Sequence, residues 1–229
     1  MKCRLAALSL LALSLFAGDA IIDSHRATME EPSLSADPHS AFWRGVPPTI
    51  ADSDAMGRPA PGYRTEIRSR WTDKNVYFLF VCPYAEMHLK PNPVSNAETN
   101  ELWNWDVAEV FIGSDFKNIK RYKEFEISPQ GEWVDLDIDR DRPRPEDGWL
   151  WNSGFRVKAR IDPKKKIWYA EMQIPVQAVD SRPPQSGNEF RINFYRSQGP
   201  GAQEIAWQPT HSRTFHVPSA FGTMRLVQP

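Results

Sequence analysis

This chain of 229 residues has few cysteines, almost no net charge and few long apolar runs, and each of these features excludes a class of protein. The two cysteines are Cys3 and Cys82. Cys3 lies in an N-terminal segment that we predict to be removed, so Cys82 has no partner for an internal disulfide. We expect Cys82 to be a small buried hydrophobe. The fold must then depend on its apolar core, which a chain of this length can supply.

The formal net charge is only −1, from 28 basic and 29 acidic residues. Proteins that bind nucleic acids usually present a basic face, so no nucleic-acid partner is expected. After the N-terminal segment, no run reaches the ~18 apolar residues of a membrane-spanning helix. We therefore expect no membrane span in the processed protein.

The N-terminal segment has the three parts of a secretory signal peptide. Lys2 and Arg4 are positive, the run from Leu5 to Phe16 is apolar, and Ala20 is a small residue suited to cleavage. We predict that residues 1–20 are a signal peptide and that the protein is exported, to the periplasm or to the medium. Residues 21–40 are predicted to be an extended leader, and residues 41–229 a single domain.

Glycine is also scarce, with 12 residues, whereas proline is abundant, with 20, and aromatic residues make up 12% of the chain. Proline interrupts helices, and aromatic side chains favour strands. Residues 63–71 alternate with period two, residues 76–82 are continuously apolar, and residues 129–131 form a hairpin turn. Nine or ten such strands predict an all-β fold, a two-sheet antiparallel β-sandwich with long loops and little helix.

An acidic residue interrupts one apolar strand, next to two tryptophans. Glu109 shares a face with Val107 and Phe111 by period two. Trp103 and Trp105 end the long loop that leads into this strand. Flat indole faces suit the apolar faces of sugar rings, and a carboxylate accepts hydrogen bonds from hydroxyls. The alternatives are a Glu109 on a solvated face and tryptophans that close the end of the core.

A second acidic group alternates along a later strand. Asp135, Asp137, Asp139 and Asp141 share one face if this strand is extended. We expect a solvated acidic edge, with a calcium site at Asp135, Asp137 and Asp139 as the alternative, because calcium is bound by oxygen ligands. No other cofactor is predicted from the residues themselves.

Catalytic motifs are missing. The chain contains no G-x-S-x-G, H-E-x-x-H or P-loop sequence, and its five histidines are scattered. Glu109 and Glu124 are conceivable as a glycosidase pair, but a pair drawn from so many acidic residues has little specificity. We therefore expect a protein that is not an enzyme.

Four segments, in this order, resemble family 9 carbohydrate-binding modules. Trp103 to Ile112 reads WNWDVAEVFI, and the segment that follows is similar to the next hairpin of that family. The matching segments are residues 103–112, 122–131, 169–175 and, after Trp207, 218–226. The resemblance extends from about residue 41 to residue 227.

The resemblance implies a DOMON-like β-sandwich that binds sugar without catalysis and serves polysaccharide catabolism, as an accessory to glycoside hydrolases. It implies that Trp103 and Phe215 hold the sugar between them and that Glu109 accepts hydrogen bonds from its hydroxyls. Trp105 and Arg213 are then expected to line the rim. Members of this family can also carry structural calcium.

The chain departs from the family pattern at two polar positions. The family arginine falls on Glu126, which changes that part of the rim from cationic to anionic, and the family asparagine falls near Ser212. Arg213 or Arg196 is the candidate replacement for the missing cation.

Two further hypotheses stay open. Some domains of the same superfamily bind haem b and carry electrons, and the candidate ligands here are Met87, His88, His211 and His216. The third hypothesis is a protein-interaction module without a small ligand, in which the aromatic side chains are merely packed.

Overall fold

The computed structural model describes residues 20–29 and 31–229, so the predicted signal peptide lies outside the described residues apart from Ala20. The described chain is built almost entirely of strands, with one helical turn, α1, at Val176–Val179 and three short 3-10 turns. The strands are β1 Ile21–Arg26, β2 Thr49–Ala51, β3 Thr65–Trp71, β4 Asn75–Pro83, β5 Val107–Gly113, β6 Arg121–Ile127, β7 Trp133–Asp139, β8 Arg156–Asp162, β9 Ile167–Pro175, β10 Glu189–Gln198, β11 Gln203–Ala206 and β12 Gly222–Val227. The 3-10 turns are Ala41–Trp43, Leu102–Asn104 and Pro218–Ala220.

The twelve strands form one nearly closed sheet in the order β7-β6-β5-β10-β12-β1-β3-β4-β9-β8, with β11 paired to β10 and β2 to β3. This confirms the all-β prediction with little helix. Two separate antiparallel sheets are not found among the described strands, because β12 and β1 join the two halves and β1 runs parallel to both its neighbours. A sandwich and a curled single sheet bury the same alternating residues, so the pattern could not distinguish them.

The main core lies between the two halves of this sheet, one containing β5, β6 and β10 and the other β3, β4 and β9. Phe194 of β10 packs edge-on against Phe78 of β4, with ring centroids 5.4 Å apart, and against Phe80 at 5.9 Å. Such edge-to-face pairs add stability beyond the apolar area they bury. Cys82 of β4 is fully buried here, as predicted.

Strand β5 separates the main core from a second apolar cluster. All seven of its residues are buried. Ala108, Val110 and Ile112 face the main core, whereas Val107 and Phe111 belong to the second cluster. Glu109 shares the face of Val107 and Phe111 by period two. This face, covered by loops, is where the candidate site lies.

Structured chain begins earlier than we predicted. The sequence placed the first structured residues near residue 41, whereas β1 pairs with β12 from Ile21↔Thr223 to His25↔Val227 and with β3 at His25↔Arg70. The segment after β1 is tied down by side chains rather than by strand pairing. Glu171 of β9 accepts hydrogen bonds from the backbone of residues 35 and 36 and from the Trp43 indole.

Within residues 20–29 and 31–229, no helix combines the length and the apolar character required to cross a membrane.

Candidate functional site

A cavity of about 370 Å³ opens on the loop-covered face of β5, β6 and β7. Its walls combine aromatic rings, carboxylates and arginines from segments far apart in the chain. Ten of the residues that line it are Trp103, Glu109, Phe111, Glu124, Arg144, Trp149, Glu204, Arg213, Phe215 and His216. A concave pocket with apolar walls and a few polar groups is the usual form of a small-molecule site.

Four of the five predicted sugar-binding residues line this cavity: Trp103, Glu109, Arg213 and Phe215. Trp105 does not, and its ring packs instead against His88, with centroids 4.6 Å apart. The reason is local. Leu102–Asn104 forms a 3-10 turn, in which successive side chains are rotated by about a third of a turn, so Trp103 and Trp105 point in different directions. The prediction that Trp105 lines the rim is therefore not met.

The indole of Trp103 forms part of the wall and is only partly buried. The Arg144 guanidinium lies 5.2 Å from the centre of this ring and 6.0 Å from that of Trp149. Arg144 is itself exposed. Cation–π contacts of this kind are worth ~0.5–1 kcal/mol at exposed sites. Arg144 and Trp149 belong to the loop between β7 and β8 and were not among the predicted site residues.

Phe215 stacks almost parallel on Tyr195, with centroids 4.2 Å apart and an interplanar angle of 11°. Tyr195 on β10 lies directly opposite Glu109 on β5. This stacking brings a ring from a loop near the C-terminus to the carboxylate of a strand more than 100 positions earlier. No spacing in the sequence could have predicted the contact.

Three glutamates meet on one face of the strand pair β5–β6. Glu109 is directly opposite Glu126, and Glu124 is two positions further along β6. One oxygen from each lies within 4.8 Å of the others, and their exposed fractions are 2%, 0% and 2% for Glu109, Glu126 and Glu124. Glu126 thus lies buried beside Glu109, beneath the floor that Glu109 and Glu124 line, rather than on the rim.

Burial raises the pKa values of all three carboxyls. For Glu109 the removal of water is the main cause, followed by the charges of Glu124 and Glu204, and the pKa rises well above its usual range. Burial followed by Glu109 and Glu124 does the same for Glu126. Burial raises the pKa of Glu124 to about 7. Desolvation penalises the charged form of an acid.

His216 lies beside this group without neutralising it. Its Nδ1 is 3.9 Å from a Glu124 oxygen and 2.8 Å from the Tyr122 hydroxyl. Burial, followed by the positive charges of Arg140 and Arg144, lowers the pKa of His216 to about 4. The ring is therefore neutral at neutral pH, and the Tyr122 hydroxyl can donate to it.

Arg196, one of the two arginines considered as a replacement for the family's cation, lies outside the cavity. Arg196 pairs with Ala108 in the strand register and is buried on the main-core side, where it donates to Thr65 Oγ1 at 3.1 Å and to the Pro83 carbonyl at 2.5 Å. It does not line the cavity. Arg213 does, and it is exposed. Ser212 is not part of the cavity lining.

The acidic residues of β7 do not share one solvated face as expected. Asp135 is buried and accepts a hydrogen bond from the Ser153 backbone at 2.7 Å. Asp137 pairs with Lys123 at 2.5 Å, and Asp139 pairs with Arg142 at 2.9 Å. Each of these three carboxylates therefore has its own partner, and the calcium hypothesis for them stays a prediction.

The haem candidates are dispersed. Of the four, only His216 lines the cavity. The His88 ring packs on Trp105, and His211 Nδ1 lies 3.2 Å from the Met56 carbonyl. Haem ligation by these side chains stays a prediction, and nothing in their arrangement adds to it.

The fold and the site define a class, an all-β protein with an aromatic-walled, acidic cavity. The family model for the carbohydrate family 9 binding domain-like proteins matches residues 39–229. The chain therefore belongs to this family.

Solved structures share the fold. A family 9 carbohydrate-binding module from Caldicellulosiruptor kristjanssonii, in complex with cellotriose, superposes with a TM-score of 0.67 at 15% identity, covering 92% of this chain and 95% of that one. The same module in complex with glucose gives 0.66. A proposed carbohydrate-binding protein from Bacteroides uniformis gives 0.72 at 16% identity, covering 91% of this chain and 100% of that one.

Two relatives are similar in sequence. An extracellular protein from Arthroderma benhamiae is 24% identical over 184 residues, which cover 74% of this chain and 81% of the relative. Endo-1,4-beta-xylanase A from Thermotoga neapolitana is 20% identical over 188 residues, which cover 82% of this chain but only 16% of the xylanase.

Proposed function

We propose that this protein is an exported, non-catalytic carbohydrate-binding module. In this proposal a sugar ring occupies the cavity between Trp103 and Phe215, with Glu109 below it. The observation that carries the proposal is the convergence of two rings and a carboxylate, from three distant segments, on one cavity. The bound cellotriose and glucose in the similar structures support a short β-glucan or its monosaccharide as the first ligand to test.

Each wall has a distinct part in this proposal. The indole and phenyl faces cover the apolar C–H faces of the sugar, while Glu109 accepts hydrogen bonds from hydroxyls. Arg213 on the rim donates to ring or hydroxyl oxygens. Arg144, which already contacts both Trp103 and Trp149, keeps the indole faces oriented toward the cavity. A few contacts worth about 1 kcal/mol each give a micromolar to millimolar dissociation constant.

Titration calorimetry with glucose, cellobiose and cellotriose tests the proposal. Trp103→Ala and Phe215→Ala should each weaken binding about five- to tenfold, since a stacked ring contributes ~1–1.5 kcal/mol. Trp105→Ala is the matched control, because it removes an indole two residues away that does not line the cavity. The control should bind within about twofold of the wild type. Heats that are absent or equal in all four proteins, each shown to be folded, would refute the proposed site for these sugars.

Export is proposed from the N-terminal pattern and from the extracellular relative. Expression of the full chain followed by fractionation and N-terminal sequencing provides the test. The expected product in the exported fraction begins at Ile21. Recovery of an uncleaved chain inside the cell would contradict it.

A further inference from the structure

At the floor of the cavity lie buried carboxylate oxygens that receive no hydrogen bond from the described residues. Four of the six oxygens of Glu109, Glu124 and Glu126 are buried and have no hydrogen-bond partner. Glu126 is the extreme case, since it is fully buried and both its oxygens are without a donor. Within residues 20–29 and 31–229, no lysine or arginine forms an ion pair with any of the three.

The available positive charges are placed elsewhere. The Arg144 guanidinium lies over the Trp103 and Trp149 rings instead of contacting a carboxylate. His216 is the nearest base, but its lowered pKa keeps it neutral. An isolated ionised carboxylate in an apolar interior costs many kcal/mol, so a buried charge is paired, metal-bound or protonated. Three adjacent carboxylates multiply this cost, because like charges directly across a strand pair repel each other.

We propose that Glu109, Glu124 and Glu126 bind a divalent cation at the floor of the cavity, with Ca²⁺ as the best match. The donors are all carboxylate oxygens, which suit a hard cation, whereas zinc prefers nitrogen and sulfur. Three carboxylates offer up to six oxygens, and Ca²⁺ takes six to eight. Glu109 and Glu124 also line the cavity, so the cation can be loaded from that side.

This inference goes beyond the proposed sugar binding and does not depend on it. The strand register fixes all three carboxylates on one rigid face, so the group is prearranged rather than assembled on binding. The site is distinct from Asp135, Asp137 and Asp139, each of which has its own partner. The lowered solvation of the floor strengthens the attraction between the cation and the carboxylates.

Terbium luminescence and calorimetry with CaCl₂, in the absence of sugar, test the cation site. Tb³⁺ replaces Ca²⁺ and is sensitised by nearby indoles, which Trp103 and Trp149 provide. We expect Ca²⁺ to bind with a dissociation constant below ~1 mM, the range of extracellular modules, and to displace Tb³⁺. Glu126→Gln keeps the shape of the side chain but removes a charge, and should weaken Ca²⁺ binding about tenfold or more.

Glu189→Gln is the control, because it removes an acidic charge from a β10 residue whose carboxylate pairs with Arg225 at 3.2 Å and does not line the cavity. It should leave Ca²⁺ affinity unchanged. Glu124→Gln is the second variant if Glu126→Gln does not fold, and it should show the same loss. A folded wild type that takes up no Ca²⁺ at ~10 mM, or Gln variants that bind it as tightly as the wild type, would overturn the inference. Since no sugar is present, failure here leaves the sugar proposal standing, and the reverse also holds.

Discussion

The charge state of Glu126 depends on the groups that surround it. Its neighbours on the same floor are acidic, and the groups around it supply little compensation. The titratable and charged groups that face the three carboxylates from the surrounding strands and loops are Tyr122, Arg144, Tyr195, Glu204, Arg213 and His216. With no cation bound, the folded protein retains protons on the glutamates that the unfolded chain releases.

Glu126→Gln should become progressively more stable than the wild type as the pH rises from about 4.5 to about 7 in EDTA buffer. The folded pKa of each carboxyl is raised, so above 4.5 the unfolded wild type binds fewer protons and rising pH favours unfolding. The amide removes one such group. Each unit by which its folded pKa exceeds the unfolded value is worth ~1.4 kcal/mol of stability. Urea unfolding of both proteins at a series of pH values measures the difference.

The comparison between variants is essential because other groups titrate in the same range. The lowered pKa of His216 acts in the opposite direction, adding stability as the pH rises from about 4 to 6.5. It is present in both proteins and cancels. Glu86→Gln, at an exposed position, is the control with the same change of charge. A Glu126→Gln protein that loses stability relative to the wild type over this range would contradict the assigned direction.

At the scale of elements, the strands were predictable and their partners were not. The predicted strand 63–71 compares with β3 at Thr65–Trp71, and the predicted strand 76–82 with β4 at Asn75–Pro83. Period-two alternation and apolar runs depend only on neighbouring residues, so they can be recognised in the sequence. The three residues of β2 were too few to show a pattern. The register that sets Glu109 against Glu126 is a property of two strands and could not be read from either alone.

Some residues of the candidate site could likewise be predicted from the sequence, and others could not. Trp103 and Glu109 stood out because both lie in one continuous segment that leads into a strand. Alternation along β6 would also have put Glu124 and Glu126 on one face, which is a signal that the sequence contained. Arg144 and His216 come from loops, where position depends on long-range packing rather than on any local period.

The segment before the first 3-10 turn depends on Glu171 of β9. Its carboxylate accepts hydrogen bonds from the backbone of Ser35 at 2.6 Å and Ala36 at 2.7 Å and from the Trp43 indole at 2.8 Å. Glu171→Ala should therefore lower the free energy of unfolding by about 2–4 kcal/mol, since three donors lose their acceptor. Chemical denaturation measures this loss. Sugar binding should be unaffected, because Glu171 does not line the cavity.

Glu66→Ala is the matched control for this element. Glu66 is a partly exposed strand residue whose ion pair with Arg64 spans 3.1 Å. Exposed pairs contribute ~0–1 kcal/mol, so its loss should cost much less than that of Glu171. Equal losses in the two variants would show that Glu171 does not anchor the segment.

For the whole molecule, the decisive feature is that a short strand joins the beginning of the chain to its end. β1 lies between β12 and β3 and provides the hydrogen-bonded link between the two halves of the sheet. Both pairings are parallel and connect residues far apart in sequence, which explains why residues 21–40 were predicted to be only a leader. Without β1, β12 would present an unpaired edge, and so would the end of β3 at Arg70 and Trp71, because β2 pairs only with the first residues of β3.

A chain that begins at residue 41 should therefore be much less stable than one that begins at Ile21. It loses β1 and also the two backbone hydrogen bonds from residues 35 and 36 to Glu171. A loss of several kcal/mol corresponds to ~10 °C or more in Tm for a protein of this size. Ile22→Asp in the longer chain separates the two effects. Ile22 is 5% exposed and packs in the main core, so a carboxylate there disrupts β1 while the rest of the segment remains. Calorimetric scans of the three proteins should rank them with the chain from Ile21 highest. If the chain from residue 41 melted at the same temperature, β1 would be an accessory strand, and the two halves of the sheet would be held together by the core alone.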